Sequence, residues 1–504
     1  MAYNNNASRL YVVEETAGGS LKAPSAGSEA LALQPGFEMS PNTDSQTNEE
    51  LRASVGPSKP ILGLERPTAS FSHYLRGHGT QGSTPDFHLL LKSIFGSTSA
   101  NGTERATTSG STTTLVELAA GGSDFVRGKA VLLKMATYEI RPVHSVATNQ
   151  LTLGFALNNA PGSGINAGKC VNYTPVNSGH PTLSLWLFRA NESNIEAMAG
   201  GLVSQLDIDV DVGNLINMSF QVQGTKFFFN PFIVTSSNQF LNITTDNVTD
   251  AVVTVAAGQY QTPQALAAAI VTALSAADPA ETFTCTFSRT TGKFTIATTT
   301  SSVFSILWKT GTKGSDNTDT HIGTLLGYSD AADGTGATTY TADNAISYAD
   351  AQTPALDSSD PLVAKDMECL LGDQSSYIRP CIQTMRASIG LDVADVKCLT
   401  SSSGVDSKVV RRRNSSIEAT FVLEKHEAEL FDRYINNTET RFCFNFGPKS
   451  GGNWVAGKCG CLYVPQATIS AVRVGEADGT VIFLVTISPY VDSSGNPEIY
   501  MNLL

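Results

Sequence analysis

The chain runs to 504 residues, longer than one hydrophobic core usually serves, so two to four modules of roughly 60–150 residues each are expected. Hydrophobic residues make up 41% and charged residues 16%, with 43 Gly and abundant Ser, Thr and Asn, a mixture suited to short strands, turns and wide contact surfaces rather than to a helical enzyme. The net charge of −13, from 46 acidic against 33 basic residues, excludes nonspecific gripping of a phosphate backbone, which needs Lys and Arg clusters to release counterions.

Met1 to Asn6 carry neither a basic nor an apolar leader region, and no apolar run reaches the roughly 18 residues of a membrane span, so synthesis and assembly in the cytoplasm without a membrane are expected. Residues 1–60, rich in Asn, Ser, Pro and Gly and including Glu49 and Glu50, read as an arm or long loop ordering against a neighbour, so that removing residues 1–30 should leave a folded chain that fails to stack with other copies. From Arg66 to Gly96 a strand precedes a helix. Ala69, Phe71, His73 and Leu75 alternate with Thr68, Ser70, Ser72 and Tyr74; then Thr84 and Pro85 announce a helix with Phe87, Leu90, Leu91, Ile94 and Phe95 on one face. Ser97 to Gly122 reads as linker, and the short apolar runs of residues 125–161 fit a small barrel-like β module.

A strand follows at Thr182 to Phe188, then a short helix from about Asn191 to Ala199 closed by Gly200-Gly201. The next hairpin is the clearest in the sequence. Leu206, Ile208, Val210 and Val212 form one face of its first strand, Gly213-Asn214 turns, and Ile216, Met218, Phe220 and Val222 oppose Asn217, Ser219, Gln221 and Gln223. Residues 236–350 look like a βαββ insert for an outer surface: a strand at Val252 to Val255, a helix at Pro263 to Leu274, and a hairpin of Phe283 to Phe287 with Phe294 to Ala297 turned at Thr291-Gly292. After a linker near Ala355 to Asp360, a strand spans Ile382 to Val393.

Asn414 to Asn437 then repeats the strand-helix element. Ile417, Ala419, Phe421 and Leu423 alternate with Ser416, Glu418 and Thr420, followed by Ala428, Leu430, Phe431, Tyr434 and Ile435 as a helical stripe. Strands at Arg441 to Phe446, Gln466 to Val474 and Thr480 to Ser488 close the chain, with Val481, Phe483, Val485 and Ile487 as inward candidates. A repeated element without catalytic residues points to assembly through equivalent surfaces.

Motifs of chemistry fall short. Gly452 to Cys459 approaches a phosphate-binding loop, but Cys459 replaces the hydroxyl, Trp454 is bulky, and a strand at Cys461 to Val464 follows where a helix is needed; a β-turn is expected. Asp207, Asp209 and Asp211 resemble the start of a calcium loop, yet Val212 and Met218 fill the slots needing Gly and Glu, so the acids read as a wet strand face. The basic run Arg411-Arg412-Arg413 reads as a solvated loop or an intersubunit salt bridge. The eight cysteines form no CxxC pair, so reduced, largely buried thiols are expected, and no metal, cofactor or catalytic set emerges from the seven histidines.

The segments Pro67 to Tyr74 with Asp86 to Gly96, Gly128 to Leu133 through Ala160-Pro161, Asp207 to Phe229, and Ser416 to Asn436 with Ile469 to Pro489 together resemble the major tail (tail tube) proteins of noncontractile long-tailed bacteriophages. The resemblance implies a mainly β (α+β) fold: a duplicated β-sandwich tube domain with flanking helices, plus the β module and the insert. It divides the chain into residues 1–98 (arm and first part of copy 1), 99–170 (β module), 171–235 (rest of copy 1), 236–360 (external domain) and 361–504 (copy 2). It further implies a non-enzymatic virion protein without cofactors, whose homotrimeric rings of pseudo-sixfold symmetry, or alternatively hexamers, stack into a tube that conducts DNA without tight binding and meets other tail proteins at its ends. A distal tail ring or decoration protein, or a carbohydrate-active enzyme on a β scaffold, are the competing readings. Candidate wall or ring-interface residues are Asn217, Ser219, Gln221, Gln223, Asp207, Asp209, Asp211, Glu418 and Thr420, whose polar faces suit either lumen or exterior.

Overall fold

A computed structural model describes residues 8–46, 48, 59–189, 194–229, 232–246, 248–260, 263–288, 291–299, 302–344, 346, 353–357, 359–401, 403–422, 427–477 and 479–504. The chain is mainly β, dominated by antiparallel sheets. In the first part, β1 (Arg9–Glu14), β2 (Ala30–Leu31), β3 (Glu38–Ser40), β4 (Thr43–Gln46), β5 (Ile61–Glu65) and β6 (Thr68–Tyr74) lead to α1 (His88–Phe95). Next come β7 (Gly96–Asn101), β8 (Cys170–Pro175), β9 (Leu183–Arg189), β10 (Asn194–Asp211), β11 (Asn217–Gln223) and β12 (Lys226–Phe229). Helix α2 (Pro263–Ala277) lies in the insert. The last part holds β13 (Glu368–Gly372), β14 (Tyr377–Ile378), β15 (Ile382–Lys397), β16 (Val405–Val422), α3 (Glu427–Ile435), β17 (Thr440–Phe446), β18 (Gly460–Ala477), β19 (Thr480–Pro489) and β20 (Tyr500–Leu503).

These strands repeat one plan. β1 pairs with β2 and β9 as β13 pairs with β14 and β17. β10 and β18, each 18 residues long, run through two sheets: their first halves pair with β9 and β17, their second halves with β11 and β19. β11 lies on β6 and β6 on β3, as β19 lies on β16 and β16 on β15. Even the irregularities agree. The β10–β11 ladder slips between Val203 and Gln205, the β18–β19 ladder between Ile469 and Ala471, and the bulged Ser204 and Ser470 hydroxyls donate to the carbonyls of Gln221 and Thr486, each at 3.3 Å. A bulge places one extra residue opposite a pair, so a shared bulge fixes the correspondence of the two copies to the residue.

The copies share one core, because alternate residues of β6, β10, β11, β15, β16 and β19 point to the same side. Phe71, Leu206, Ile208, Phe220, Ala387, Ile389, Ile417, Phe421, Val485 and Ile487 are all buried there with α1 residues Leu90, Leu91, Ile94 and Phe95. Gly96 ends α1 at φ +90°, a left-handed conformation open to glycine, its amide bonding the Lys92 carbonyl. β7 and β8 pair as a stem that leads into the β module, whose six strands join in the order 105–106, 166–167, 130–133, 139–147, 150–153, 115–117, with a bridge from Thr107 to Leu118 closing the ring into a small barrel. Arg141 pins this barrel to the second copy. Fully buried, it meets Glu139 at 2.7 Å and Glu368 of β13 at 3.2 Å. The insert folds around its own core, in which Leu266, Ile270 and Leu274 of α2 pack on Phe283, Phe294 and Ile296.

Several expectations need correction. The described part of residues 1–60 is no arm: Leu10, Tyr11, Val12 and Val13 of β1 are buried between β9 and β2, so loss of residues 1–30 removes a central strand. Glu49 and Glu50 lie outside the described residues. Ser97 to Gly122 is not linker, since β7 and strands of the barrel run through it. The helix expected to reach Ala199 is strand from Asn194 onward, because Ile195, Ala197 and Met198 are buried between β9 and β12; Asn191 to Ser193 lie outside the described residues. α1 begins at His88, later than Thr84-Pro85 suggested. Val481 is 41% exposed beyond the end of the core, whereas Phe483, Val485 and Ile487 are buried. Leu423 lies outside the described residues, as do the side-chain surroundings of Ala428. The insert holds further strands in its Gly- and Thr-rich part, at Phe304–Ile306, Gly334–Ala337 and Thr339–Thr341.

Candidate functional site

The surface that the fold builds most deliberately is the second, wet face of one continuous sheet. Its strand order is β3, β6, β11, β10, β15, β16, β19, β18, four strands from each copy, all antiparallel. Side chains alternate across a strand, so burial of one set leaves the other in water. Asn217, Ser219, Gln221 and Gln223 of β11, Asp207, Asp209 and Asp211 of β10, and Glu418 and Thr420 of β16 all stand on this face. The sheet curls around them: Asp209, Asp211, Asn217, Thr384, Arg386 and Glu418 are among the residues lining a groove of about 580 Å³ across its middle. Glu38, Gln205, Arg386, Ser388 and Arg473, which sequence reasoning did not single out, share the face. Strand periodicity would have found Arg386 and Ser388, two residues apart within a recognised strand.

The two copies meet within the chain at β10 and β15, with Asp207 opposite Ser388, Ile208 opposite Ala387 and Asp209 opposite Arg386. Asp207 is the hub. It accepts from Ser388 Oγ at 2.5 Å, Arg386 at 2.8 Å and Gln205 Nε2 at 2.9 Å. Burial opposes ionisation of Asp207, but the hydrogen bonds from Ser388, Arg386 and Gln205 outweigh it and hold its pKa below the ordinary carboxylate value. Asp209, whose closest Arg386 contact is 3.8 Å, is shifted the other way by burial, with the Asp207 charge adding to the effect.

The ends of the sheet differ from its middle. β3 is paired only with β6, and the second half of β18 only with β19, so among the described residues both present an unpaired edge. Val474 on the β18 edge is 58% exposed, whereas Ile208, its counterpart by the bulge correspondence, is 4% exposed beneath β15. An open edge carrying exposed apolar side chains is a template for another strand.

The remaining motifs resolve into structure. Gly457 of the Gly452–Cys459 segment sits at φ +83°, and a Cβ there would lie 2.7 Å from the Gly79 carbonyl; the glycine serves a close backbone crossing, followed by β18 rather than a helix. Arg411 pairs with Asp392 on the surface, while Arg413 is held inside by Glu498 at 3.0 Å. Asp319, His321 and Asp330 cluster in the insert, but His321 Nδ1 accepts the Gly323 amide at 3.1 Å and so is already engaged, with Nε2 lying 3.5 Å from Asp319 and 3.8 Å from Asp330. No disulfide forms among the eight cysteines, and burial pushes the Cys170 and Cys459 thiols up to about 12, which keeps them protonated and inert. Among the described residues no helix is long and apolar enough to cross a membrane.

No family model and no curated protein matches the chain. Among solved structures it is similar to the SPP1 tail tube, determined by solid-state NMR and cryo EM, at 15% identity and a TM-score of 0.22, over 29% of this chain and 80% of that one.

Proposed function

We propose that the chain is a structural subunit of a phage tail tube: copies of it pair edge to edge into a ring, and rings stack into a hollow tube through which DNA passes. The observation that carries this reading is the sheet with two open edges whose own middle, the β10–β15 ladder, already joins one copy of the plan to the next. Repeating that junction between chains turns the open sheet into a closed barrel with no edges. Three chains then present six copies, a homotrimer of pseudo-sixfold symmetry.

The concave wet face becomes the lumen wall. Glu38, Asp207, Asp209, Asp211, Asp392 and Glu418 outnumber Arg386, Arg412 and Arg473 on it, and most of the other side chains are Ser, Thr, Asn and Gln, with Tyr74, Ala471 and Leu484 among them, so a duplex meets repulsion and hydrogen-bonding groups without the cationic rows that would hold it. The role is structural, not catalytic. The insert, with its separate core, projects outside the wall, and other tail proteins cap the tube. Negative-stain microscopy of the purified full-length chain tests this: rings of three chains, alone or stacked, are expected, and particles that stay monomeric at the highest soluble concentration overturn it.

A further inference from the structure

Resting on the ring reading, the correspondence of the two copies says which residues meet when one chain joins the next. The bulges equate Val203 with Ile469, hence Asp207 with Arg473 and Ile208 with Val474. On the facing strands, Ala69 opposes Val222 and Met39, as Ile417 opposes Ile487 and Ala387; this equates Glu38 with Arg386 and Ser40 with Ser388. Within the chain the acid stands on β10 and the arginine on β15. At the open edges the signs are exchanged: the arginine is on β18 and the acid on β3.

We infer that the interchain seam is a β18–β3 ladder in the register Arg473 opposite Ser40, Val474 opposite Met39 and Gly475 opposite Glu38, locked by an Arg473–Glu38 ion pair of reversed polarity to Asp207–Arg386. The occupant of each open edge is therefore a second copy of this chain. Among the described residues Arg473 meets no carboxylate within ion-pair reach, and Glu38 is approached only by the Ser40 hydroxyl at 3.4 Å, so both charges are unspent in the single chain. Strand β3 would cover Val474 as β15 covers Ile208. The exchange also sorts the edges: β18 offered to β15 would set Arg473 against Arg386, and β10 offered to β3 would set Asp207 against Glu38, both like-charged.

Charge exchange in the full-length chain tests the pair, with assembly followed by sedimentation and negative stain. Glu38→Arg alone and Arg473→Asp alone should raise the concentration for half-assembly about tenfold, less at high salt, and the double variant should return to the parental value. Single variants that assemble like the parent, or a double variant as defective as either single, overturn the register while leaving the ring reading intact. A parent that never assembles overturns the ring reading itself. A second measurement does not depend on charge: with Ser40→Cys and Arg473→Cys together, mild oxidation should link neighbouring subunits covalently, neither single variant should do so, and an unlinked double variant in assembled rings refutes the register.

Discussion

Replacing Arg141 by Met is expected to detach the small barrel from the second copy. The guanidinium is fully buried and donates to Glu139 at 2.7 Å, Glu368 at 3.2 Å, the Ile140 carbonyl at 2.7 Å and the Ala156 carbonyl at 3.1 Å. Met fills much of the volume but leaves two carboxylates and two carbonyls without this partner. Removing one side of a buried ion pair costs about 3–5 kcal/mol, a large share of the roughly 5–15 kcal/mol that holds a typical domain together. Because a chain of several units need not unfold in one step, the assay should be local: hydrogen exchange across residues 130–147 and 368–372, with urea unfolding as the global companion. Protection should fall by two or more orders of magnitude in both segments. Adding Glu139→Gln and Glu368→Gln should recover the greater part, since neutral amides are far cheaper to bury unpaired than carboxylates. An Arg141→Met protein within about 1 kcal/mol of the parent would show that the barrel is held by its apolar contacts and not by the buried ion pair.

Other outcomes follow from the same geometry. Burial, reinforced by Arg441 and Arg127, lowers the His144 pKa to about 4; a group depressed below its unfolded value near 6.5 supports the fold above that pH and withdraws support as the pH falls toward 4, so melting at pH 7 and pH 5 should differ more in the parent than in His144→Asn. Gly457→Ala should cost more than about 1 kcal/mol in urea unfolding through its φ of +83° and the Gly79 crossing, while nucleotide titrations stay flat for both proteins; a nucleotide signal in the parent would reinstate the phosphate loop. Exchanging residues 236–350 for a short Gly and Ser linker should leave particles with the same lumen and a smaller outer diameter by microscopy, whereas loss of folding would make the insert part of the wall.

Legibility in the sequence tracked how completely one face of a strand is buried. The hairpin of Leu206 to Val222 declared itself because β6 and β15 flank it over a full core, making every second residue apolar. Residues 9–46 stayed hidden for the opposite reason: β2, β3 and β4 span few residues each, and Pro and Gly between them mask the buried Leu10 to Val13. The first half of β10 was misread because Asn191-Glu192-Ser193-Asn194 resembles a helix cap and Gly200-Gly201 a helix stop, while the pairings to β9 and β12 that decide the matter come from elsewhere in the chain. Polar residues of the wet face could be named from alternation alone. That Asp207 and Arg473 are counterparts could not, because the equivalence passes through a bulge in each ladder that shifts the alternation by one.

The opposite signs at those counterpart positions bear on ancestry. A half-length chain made only of the first copy would bring Asp207 against Glu38 at every seam, and one made only of the second would bring Arg473 against Arg386. Through the proposed seam, neither half would polymerise with itself without stacking like charges. The two can still alternate, and covalent fusion enforces that alternation at a fixed one-to-one ratio. In the proposed ring, divergence at a handful of strand positions would therefore tie the two halves together, since neither alone would present two complementary edges.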